Sequence, residues 1–203
     1  MAKLKPETMD TLARTSLSEL QRPHVFVVDM INGFIKEGAL SDSYIMHITN
    51  PIQDLVKQAH ATTFICDSHN LDAKEFDAYP IHCIKDTSES EVIDELQPLV
   101  KRLIHKNSTN TFMAKEFQDQ LPDLLSQFDD FVLVGCCTDI CILHFALSLQ
   151  TFINEHNLSD KRVIVPMNMV ETYDIPEVHS RDKANQTACE LMINNGIQVV
   201  VME

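Results

Sequence analysis

The stretch Phe131–Leu143, FVLVGCCTDICIL, joins a strand pattern directly to a helix start, and the rest of the chain is organised around it. Its first four residues form a continuous apolar run, which is typical of a strand buried on both faces of a parallel sheet. Gly135 interrupts the run, and Thr138 and Asp139 are residue types that often begin a helix. Such a helix start has unpaired backbone N–H groups that favour an anion. We therefore predict that Cys141, in the first turn, is a nucleophile whose thiolate is favoured by its position.

Other apolar runs predict further strands, and periodic apolar residues predict helices between them. The predicted strands cover residues 24–30, 61–69, 102–106, 131–134, 161–166 and 197–202. The predicted helices cover residues 6–21, 48–60, 90–99, 114–128 and 139–156, with a last one from about residue 181. This alternation predicts a three-layer α/β/α fold with a six-stranded, mostly parallel, doubly wound sheet. We expect one domain over residues 1–203, with residues 1–22 as a helical extension.

Composition excludes several classes of partner. The net charge of −14 argues against nucleic acid and anionic membranes, which leaves a small molecule as the expected partner. No apolar run approaches the ~20 residues that cross a bilayer, and the N-terminus lacks an apolar signal segment. Six cysteines in that setting predict reduced thiols in a cytoplasm rather than a disulfide framework. No glycine-rich phosphate-binding loop is present.

Chemically capable side chains follow four of the predicted strands. Asp29 ends the first strand, Asp67 the second and Lys106 the third, and the turn with Cys141 follows the fourth. Each aspartate alone would more often be a turn or cap residue. Because ligands bind at the carboxyl ends of strands in such sheets, we expect these groups to share one crevice.

These groups together predict acyl transfer. Asp29 can take a proton from the thiol and deliver it to a leaving amine, and Lys106 favours both the thiolate and the carboxylate. The N–H groups of Cys137 and Cys141 can hold a developing oxyanion. The pattern therefore predicts hydrolysis of an amide or ester through a thioester.

The second strand end also suggests a metal site. Asp67, His69 and the later His82 form a mixed oxygen and nitrogen set that suits zinc, iron or manganese. Spacing alone leaves the alternative that both histidines are solvated loop residues.

Asp29, Lys106 and the motif Gly135–Cys141, GCCTDIC, resemble the Asp–Lys–Cys triad of the isochorismatase-like cysteine hydrolases. Within that superfamily the pattern is most similar to nicotinamidase/pyrazinamidase, and the resemblance extends from about residue 24 to residue 201. Isochorismatases proper lack the nucleophilic cysteine, so the resemblance favours amide hydrolysis. It implies conversion of nicotinamide to nicotinate and ammonia, in cytoplasmic NAD salvage. It also implies a non-proline cis peptide at Cys136–Cys137 that aims the turn N–H groups inward.

The same resemblance implies the metal ligands. Asp67, His69 and His82 match positions whose metal holds the pyridine nitrogen of the substrate, and zinc is the expected ion, with iron or manganese as alternatives. Glu75 matches a fourth ligand of some members. Asp72 and Asp77 lie in the same loop, so the fourth ligand stays open at this point.

Phe34 and Tyr79 match the ring-stacking positions of the family, and Ile140 is a third candidate contact with the substrate. Tryptophan or phenylalanine is usual at the position of Tyr79, and a hydroxyl there can alter substrate preference. One alternative is a hydrolase of an N-carbamoyl or ureido compound with no metal contact. Another is a non-catalytic homologue that binds a small molecule. We expect a homo-oligomer in every case.

We assign non-catalytic roles to four polar residues near these positions. Asp139 is interpreted as a cap or salt-bridge partner, His144 as a helix histidine rather than a partner of the thiol, and His179 as solvated. Asn107 is expected to order Lys106 through local hydrogen bonds.

Overall fold

The computed structural model describes residues 11–203, in which an eight-stranded sheet forms the centre. The strands are β1 (Ala13–Thr15), β2 (Pro23–Val28), β3 (Thr62–Asp67), β4 (Leu103–Lys106), β5 (Asp130–Cys136), β6 (Arg162–Pro166), β7 (Val170–Glu171) and β8 (Gln198–Met202). Their order is β1-β8-β6-β5-β2-β3-β4, with β7 paired to β5, and every pair is parallel. All six predicted strands are confirmed, and the short β1 and β7 are additions.

Helices cover both faces of the sheet. They are α1 (Asn32–Ile35), α2 (Thr49–Gln58), α3 (Lys115–Gln127), α4 (Leu143–Glu155) and α5 (Arg181–Asn194). Val27 of β2 packs on the α2 side, whereas its neighbour Phe26 packs on the side of α3, α4 and α5. Successive side chains of a strand point to opposite faces, so β2 supports two separate cores and the three-layer architecture is confirmed. Within residues 11–203 no helix is long and apolar enough to cross a membrane.

The N-terminal segment differs from the predicted helix over residues 6–21. Residues 6–10 lie outside the described part of the chain. From Ala13 the chain forms β1, which adds to the edge of β8, followed by a short 3₁₀ turn at Leu17–Glu19. The helix prediction is therefore wrong for these residues, because the open edge of β8 satisfies the backbone groups of β1. Leu17 and Leu20 do pack on the core, which explains their apolar character.

The predicted helix over residues 90–99 is also wrong. This segment has only two short 3₁₀ turns, at Ser88–Ser90 and Gln97–Leu99. Between them Val92 forms an antiparallel bridge with Ile31, and the Ile93 N–H donates to the Met30 carbonyl at 3.1 Å. Pairing with the loop after β2 thus overrides the local helical pattern, because it satisfies the backbone while burying Ile93.

The parallel register brings the predicted site residues to one edge of the sheet. Val28, the last residue of β2, is level with Ile65 of β3 and Gly135 of β5, and Asp67 is level with Lys106. Gly135 has a φ of +115°, and a Cβ atom there would lie 2.0 Å from the Val28 carbonyl oxygen. Only glycine therefore allows β5 to approach β2 this closely before the turn that carries Cys141.

Candidate active site

Lys106 lies at the centre of a buried cluster at the carboxyl edge of the sheet. Its Nζ is 2.8 Å from Asp29 Oδ2, 2.5 Å from Asp67 Oδ1 and 3.7 Å from Cys141 Sγ. Asp29 Oδ1 in turn accepts the N–H of Asp67 at 2.8 Å. All four side chains are almost fully buried. The structure thus brings together the three residues predicted as catalytic, and Asp67 joins them.

The ionisable groups of this cluster differ in their pKa values. Burial and the neighbouring Asp67 carboxylate raise the pKa of Asp29 to about 6, although Lys106 opposes them. Burial also acts to raise the pKa of Asp67, but Lys106 and His69 outweigh it, so that pKa falls. Burial disfavours the ammonium of Lys106, yet the two carboxylates hold its pKa well above the usual range. Lys106 and Asp67 are therefore charged at neutral pH, while Asp29 titrates near neutrality, as suits a general base.

The thiol of Cys141 is not ready to react in the resting site. Burial raises its pKa well above the usual range, and the nearby Lys106 only partly offsets this effect. The position of Cys141 in the first helical turn therefore does not by itself yield a thiolate, which differs from the sequence-based expectation. Asp29 Oδ2 has no well-directed hydrogen bond within residues 11–203 and is the oxygen available to take the proton.

The turn before Cys141 is anchored to the end of β2. The peptide between Cys136 and Cys137 is cis, which confirms the expectation from the family pattern. The thiol of Cys136 donates to the Asp29 carbonyl at 3.0 Å. The N–H groups of Ile140 and Ile142 both donate to the Cys137 carbonyl at 3.1 Å, closing a π-helical turn. Within residues 11–203 the N–H of Cys137 has no hydrogen-bond partner, so it can serve an oxyanion.

Four donors beside the triad form a set that fits a metal ion. Single ligand atoms of Asp67, His69, Glu75 and His82 all lie within 4.8 Å of one another. The Nε2 atom of His69 lies 3.7 Å from Asp67 Oδ1 and 3.9 Å from Glu75 Oε1, and it is buried without a hydrogen bond to any residue of the described range 11–203. Two imidazoles and two carboxylates suit zinc, iron or manganese. Glu75 lies among these donors, whereas Asp72 and Asp77 do not belong to the group.

The outer contacts of both histidines support the same interpretation. His82 Nδ1 lies 2.8 Å from the Pro80 carbonyl, and His69 Nδ1 lies 3.3 Å from Asn107 Oδ1. Because each Nδ1 faces an oxygen acceptor, it carries the proton and leaves Nε2 with a free lone pair. The second carboxylate oxygen of Glu75 accepts the N–H of Thr109 at 2.9 Å. Both rings and the Glu75 carboxylate are therefore oriented before any ion binds.

A second group of possible ligands comprises Asp29, Asp67 and Cys141. Here the Lys106 ammonium already lies between the donors, in contact with both carboxylates. A cation at this position would be repelled by Lys106, so the metal-binding set is the one with the two histidines.

A pocket connects the donors to the nucleophile. It is lined by the predicted Phe34, Tyr79, Ile140, Cys137 and Cys141, and by Asp67, Glu75 and His82 from the donor set. Leu40, Thr109 and Tyr173 complete the lining. Its walls are largely apolar, so it fits a small planar ring with one polar group.

Sequence reasoning missed Leu40 and Thr109 as pocket residues. Both lie on loops after strands or short helices, where only the tertiary path decides which side chain reaches the pocket. Tyr173, on the segment that follows β7, lines the pocket as well.

Two of the structural interpretations need adjustment. Asn107 contacts His69 and the N–H of Asn70 instead of ordering Lys106. His179 is largely buried, and its Nε2 lies 2.8 Å from Asp139 Oδ2, so it is not simply solvated. Asp139 is accordingly a salt-bridge partner, as one of its two interpretations proposed. His144 is exposed and contacts Thr109 Oγ1 at 3.1 Å.

Comparison with known proteins agrees with this architecture. The isochorismatase domain matches residues 23–180. Nicotinamidase 1 of Arabidopsis thaliana is 28% identical over 207 residues, which cover 86% of this chain and 83% of that protein. The pyrazinamidase of Pyrococcus horikoshii, solved in complex with zinc, has a TM-score of 0.71 at 19% identity, covering 89% of this chain and 99% of that one. N-carbamoylsarcosine amidase from Thermoplasma acidophilum has a TM-score of 0.65 at 23% identity, covering 88% of this chain and 95% of that one. The chain belongs to the isochorismatase family of hydrolases.

Proposed function

We propose that the protein is a cysteine amidohydrolase that converts nicotinamide to nicotinate and ammonia. The observation that carries this proposal is the contact of Lys106 with Asp29, Asp67 and Cys141 beside the donor set of His69 and His82. The first group can cleave an amide, and the second can select an amide attached to a nitrogen-containing ring. The similarity to a curated nicotinamidase supports the same substrate.

Acylation begins with proton transfer from Cys141 Sγ to Asp29. The thiolate attacks the carboxamide carbon, and the carbonyl electron pair moves to oxygen. The N–H of Cys137 faces no competing acceptor within the described residues and stabilises this oxyanion; losing one such donor typically costs ~3–4 kcal/mol of barrier. Asp29 then returns the proton to the amine as the C–N bond breaks. The products of this half-reaction are ammonia and a thioester on Cys141.

Deacylation uses the same groups in reverse roles. Asp29 takes a proton from water, which attacks the thioester carbon, and the C–S bond breaks. Asp29 then returns the proton to Cys141, so the thiol is restored and the acid is released. Lys106 stays charged throughout and stabilises the ionised Asp29 between the proton transfers, since it touches that carboxylate at 2.8 Å.

The donor set and the pocket walls orient the substrate in this proposal. A divalent cation bound by Asp67, His69, Glu75 and His82 would supply a Lewis-acid contact for the ring nitrogen. In this proposal Phe34 and Tyr79 contact the substrate ring, because both line the pocket and both pack against the His82 ring, at centroid distances of 5.7 Å and 6.3 Å. These contacts hold the carboxamide near Cys141 without taking part in the proton transfers.

The test is an assay of ammonia release on a panel of amides, with metal content measured on the same purified sample. The panel contains nicotinamide, pyrazinamide, benzamide and N-carbamoyl compounds. Benzamide is the matched control, because it has the same carboxamide and ring size without a ring nitrogen. We expect nicotinamide and pyrazinamide to be hydrolysed far faster than benzamide, with a divalent ion bound to the protein.

Hydrolysis of N-carbamoyl compounds by metal-free protein, with no hydrolysis of nicotinamide, would overturn the proposed substrate and favour the ureido alternative. No hydrolysis of any amide, together with an unreactive Cys141, would favour a small-molecule-binding homologue.

A further inference from the structure

The segment that follows β7, residues 172–180, forms one wall of the pocket. Tyr173 lines the pocket, and the backbone continues to His179 before α5 begins at Arg181. An antiparallel bridge between Ile175 and His179 folds the segment back on itself. This fold brings His179 next to Tyr173, and the two rings stack at a centroid distance of 4.0 Å and an interplanar angle of 19°.

His179 joins this wall to the turn that carries the nucleophile. Its Nδ1 lies 3.0 Å from the Tyr173 carbonyl, and its Nε2 lies 2.8 Å from Asp139 Oδ2. The hydroxyl of Thr172 donates to the other carboxylate oxygen, Asp139 Oδ1, at 2.7 Å. Both oxygens of Asp139 are therefore held by the 172–180 segment, and Asp139 is only two residues from Cys141.

The ring nitrogens of His179 both face acceptors, one a carbonyl and the other the carboxylate of Asp139. A neutral imidazole has a single N–H, so both contacts are hydrogen bonds only when the ring is doubly protonated. The Asp139 contact is then charge-assisted, which makes it stronger and more directional than a neutral hydrogen bond.

The far end of the 172–180 segment has separate anchors. Arg181 Nε donates to the Thr172 carbonyl at 2.9 Å, its guanidinium pairs with Asp42, and it lies 4.0 Å from the centre of the Tyr44 ring. The N–H of Arg181 donates to Asp174 at 2.9 Å. Loss of the His179 contacts would consequently remove the stacked ring from Tyr173, which would then be held by its packing on the core alone, while both ends of the segment stay attached.

We propose that Asp139 and His179 are positioning residues, which fix the Tyr173 ring as a pocket wall at a set distance from Cys141. Neither residue touches the reacting atoms. The part of this inference that concerns contact with substrate rests on the proposed amide hydrolysis. The wall itself, and its control of access to the thiol, do not depend on that function.

The first test is steady-state kinetics of His179→Ala in the full-length protein with nicotinamide. We expect KM to rise by about tenfold, which corresponds to ~1.4 kcal/mol of binding, while kcat changes by less than about twofold. The kcat is preserved because, within residues 11–203, the polar contacts of the Asp29, Lys106 and Cys141 side chains are with one another and with Asp67, and not with the 172–180 segment. His179→Gln retains a donor for Asp139, so we expect it to recover part of the lost affinity.

His156 supplies a matched control. It also stacks on an aromatic ring, Phe152, at 4.1 Å, and its Nδ1 lies 2.9 Å from the Phe152 carbonyl, but it lies at the end of α4 and lines no wall of the substrate pocket. We expect His156→Ala to leave both KM and kcat unchanged. An equal rise of KM in His156→Ala and His179→Ala would overturn the proposal.

A double-mutant cycle separates positioning from a general structural role. If His179 acts through Tyr173, then Tyr173→Ala combined with His179→Ala should raise KM no more than Tyr173→Ala alone. Multiplicative effects of the two substitutions on KM would contradict the assignment.

A second readout does not require hydrolysis of any amide. The alkylation rate of Cys141 is measured by peptide mass spectrometry with small iodoacetamide and bulky N-phenylmaleimide. We expect the rate ratio of the bulky to the small reagent to rise several-fold in His179→Ala and in Tyr173→Ala, and to stay at the wild-type value in His156→Ala. An unchanged ratio in His179→Ala, or in His179→Gln if the alanine variant does not fold, would overturn the proposal. Absence of amide hydrolysis with a raised ratio would remove the proposed function and retain the positioning role.

Discussion

Replacing Lys106 with methionine is the most informative perturbation of the buried cluster. Methionine has a similar length and leaves the packing nearly intact, so the change removes mainly the charge. The Nζ atom is 2.8 Å from Asp29 Oδ2, and at an effective dielectric constant of about 20 this contact is worth ~6 kcal/mol. The energy lost with this contact is far larger than the ~1.4 kcal/mol that corresponds to a pKa change of one. The pKa of Asp29, already about 6 with Lys106 present, must therefore rise above neutrality.

A protonated Asp29 cannot take the proton from Cys141. We expect kcat/KM of Lys106→Met at neutral pH to fall by about 10²–10⁴, the usual contribution of a general base. In the wild type, activity should be lost as the pH falls through about 6, because Asp29 must be ionised in the free enzyme. In the variant this acidic limb should move to higher pH, so part of the activity should return in alkaline buffer.

Stability provides an independent readout of the same charges. Removing one partner of a buried ion pair costs ~3–5 kcal/mol when the other partners stay charged. In Lys106→Met the folded-state pKa values of Asp29 and Asp67 lie above their unfolded values, so the folded state binds more protons. The stability deficit should consequently be larger at about pH 8 than at about pH 5.

Lys161→Met is the matched control. Lys161 is also almost buried and contacts Asp129 at 2.7 Å, but it precedes β6 at the opposite edge of the sheet. We expect this variant to lose stability while its kcat/KM and the acidic limb of its pH profile stay at wild-type values. Wild-type activity of Lys106→Met, or an acidic limb that does not move upward, would refute the electrostatic account.

Three further predictions concern the turn, the donor set and the surface. Gly135→Ala should destabilise the protein by at least ~2 kcal/mol more than Gly196→Ala in urea unfolding, because both glycines have positive φ but only Gly135 has a carbonyl in the path of its Cβ; equal costs would contradict the packing argument. His82→Asn should weaken zinc binding in calorimetry by about 10-fold or more, whereas His60→Asn, at an exposed position, should not; unchanged affinity in His82→Asn would exclude this donor set. Hydrogen bonds from Arg22 and Lys161 lower the pKa of Asp129 to about 2, so its stabilising effect is present above the unfolded value near ~4 and is lost as pH falls through about 2. Asp129→Asn should therefore be less stable than the wild type at neutral pH, and this difference in stability should disappear in acid. A difference in stability that persists in acid would show that it does not arise from the charge of Asp129.

The residues of the buried cluster could be predicted from the sequence because a parallel sheet places its strand ends in a regular way. In a parallel sheet, polar residues that end successive apolar runs must meet at one edge. Asp29, Asp67 and Lys106 each follow such a run, and the structure brings them within contact distance of one another. The assignment of Glu75 to the donor set required the structure, because three acidic residues share that loop and spacing alone does not distinguish them.

Contacts between loops could not be predicted in this way. Asn107 contacts His69 across 38 residues, and His179 contacts Asp139 across 40 residues. These pairings depend on the path of irregular segments, which carries no periodic signal in the sequence. The same limitation explains the wrong helix over residues 90–99, where pairing with the loop after β2 outweighed a local helical pattern.

The protonation state of Cys141 also needed the structure. Its position at a helix start favours a thiolate, but complete burial acts in the opposite direction and is the larger effect here. The chemistry therefore depends on Asp29 as a base rather than on a preformed thiolate.

The covalent intermediate on Cys141 is the most direct test of the proposed chemistry. Protein mixed with excess nicotinamide is quenched in acid within the first turnovers, and the modified residue is located by peptide mass spectrometry. We predict a nicotinoyl group on Cys141, with ammonia release that is abolished in Cys141→Ala and retained in Cys189→Ala, whose thiol is buried in α5. Ammonia release at the wild-type rate by Cys141→Ala would contradict it.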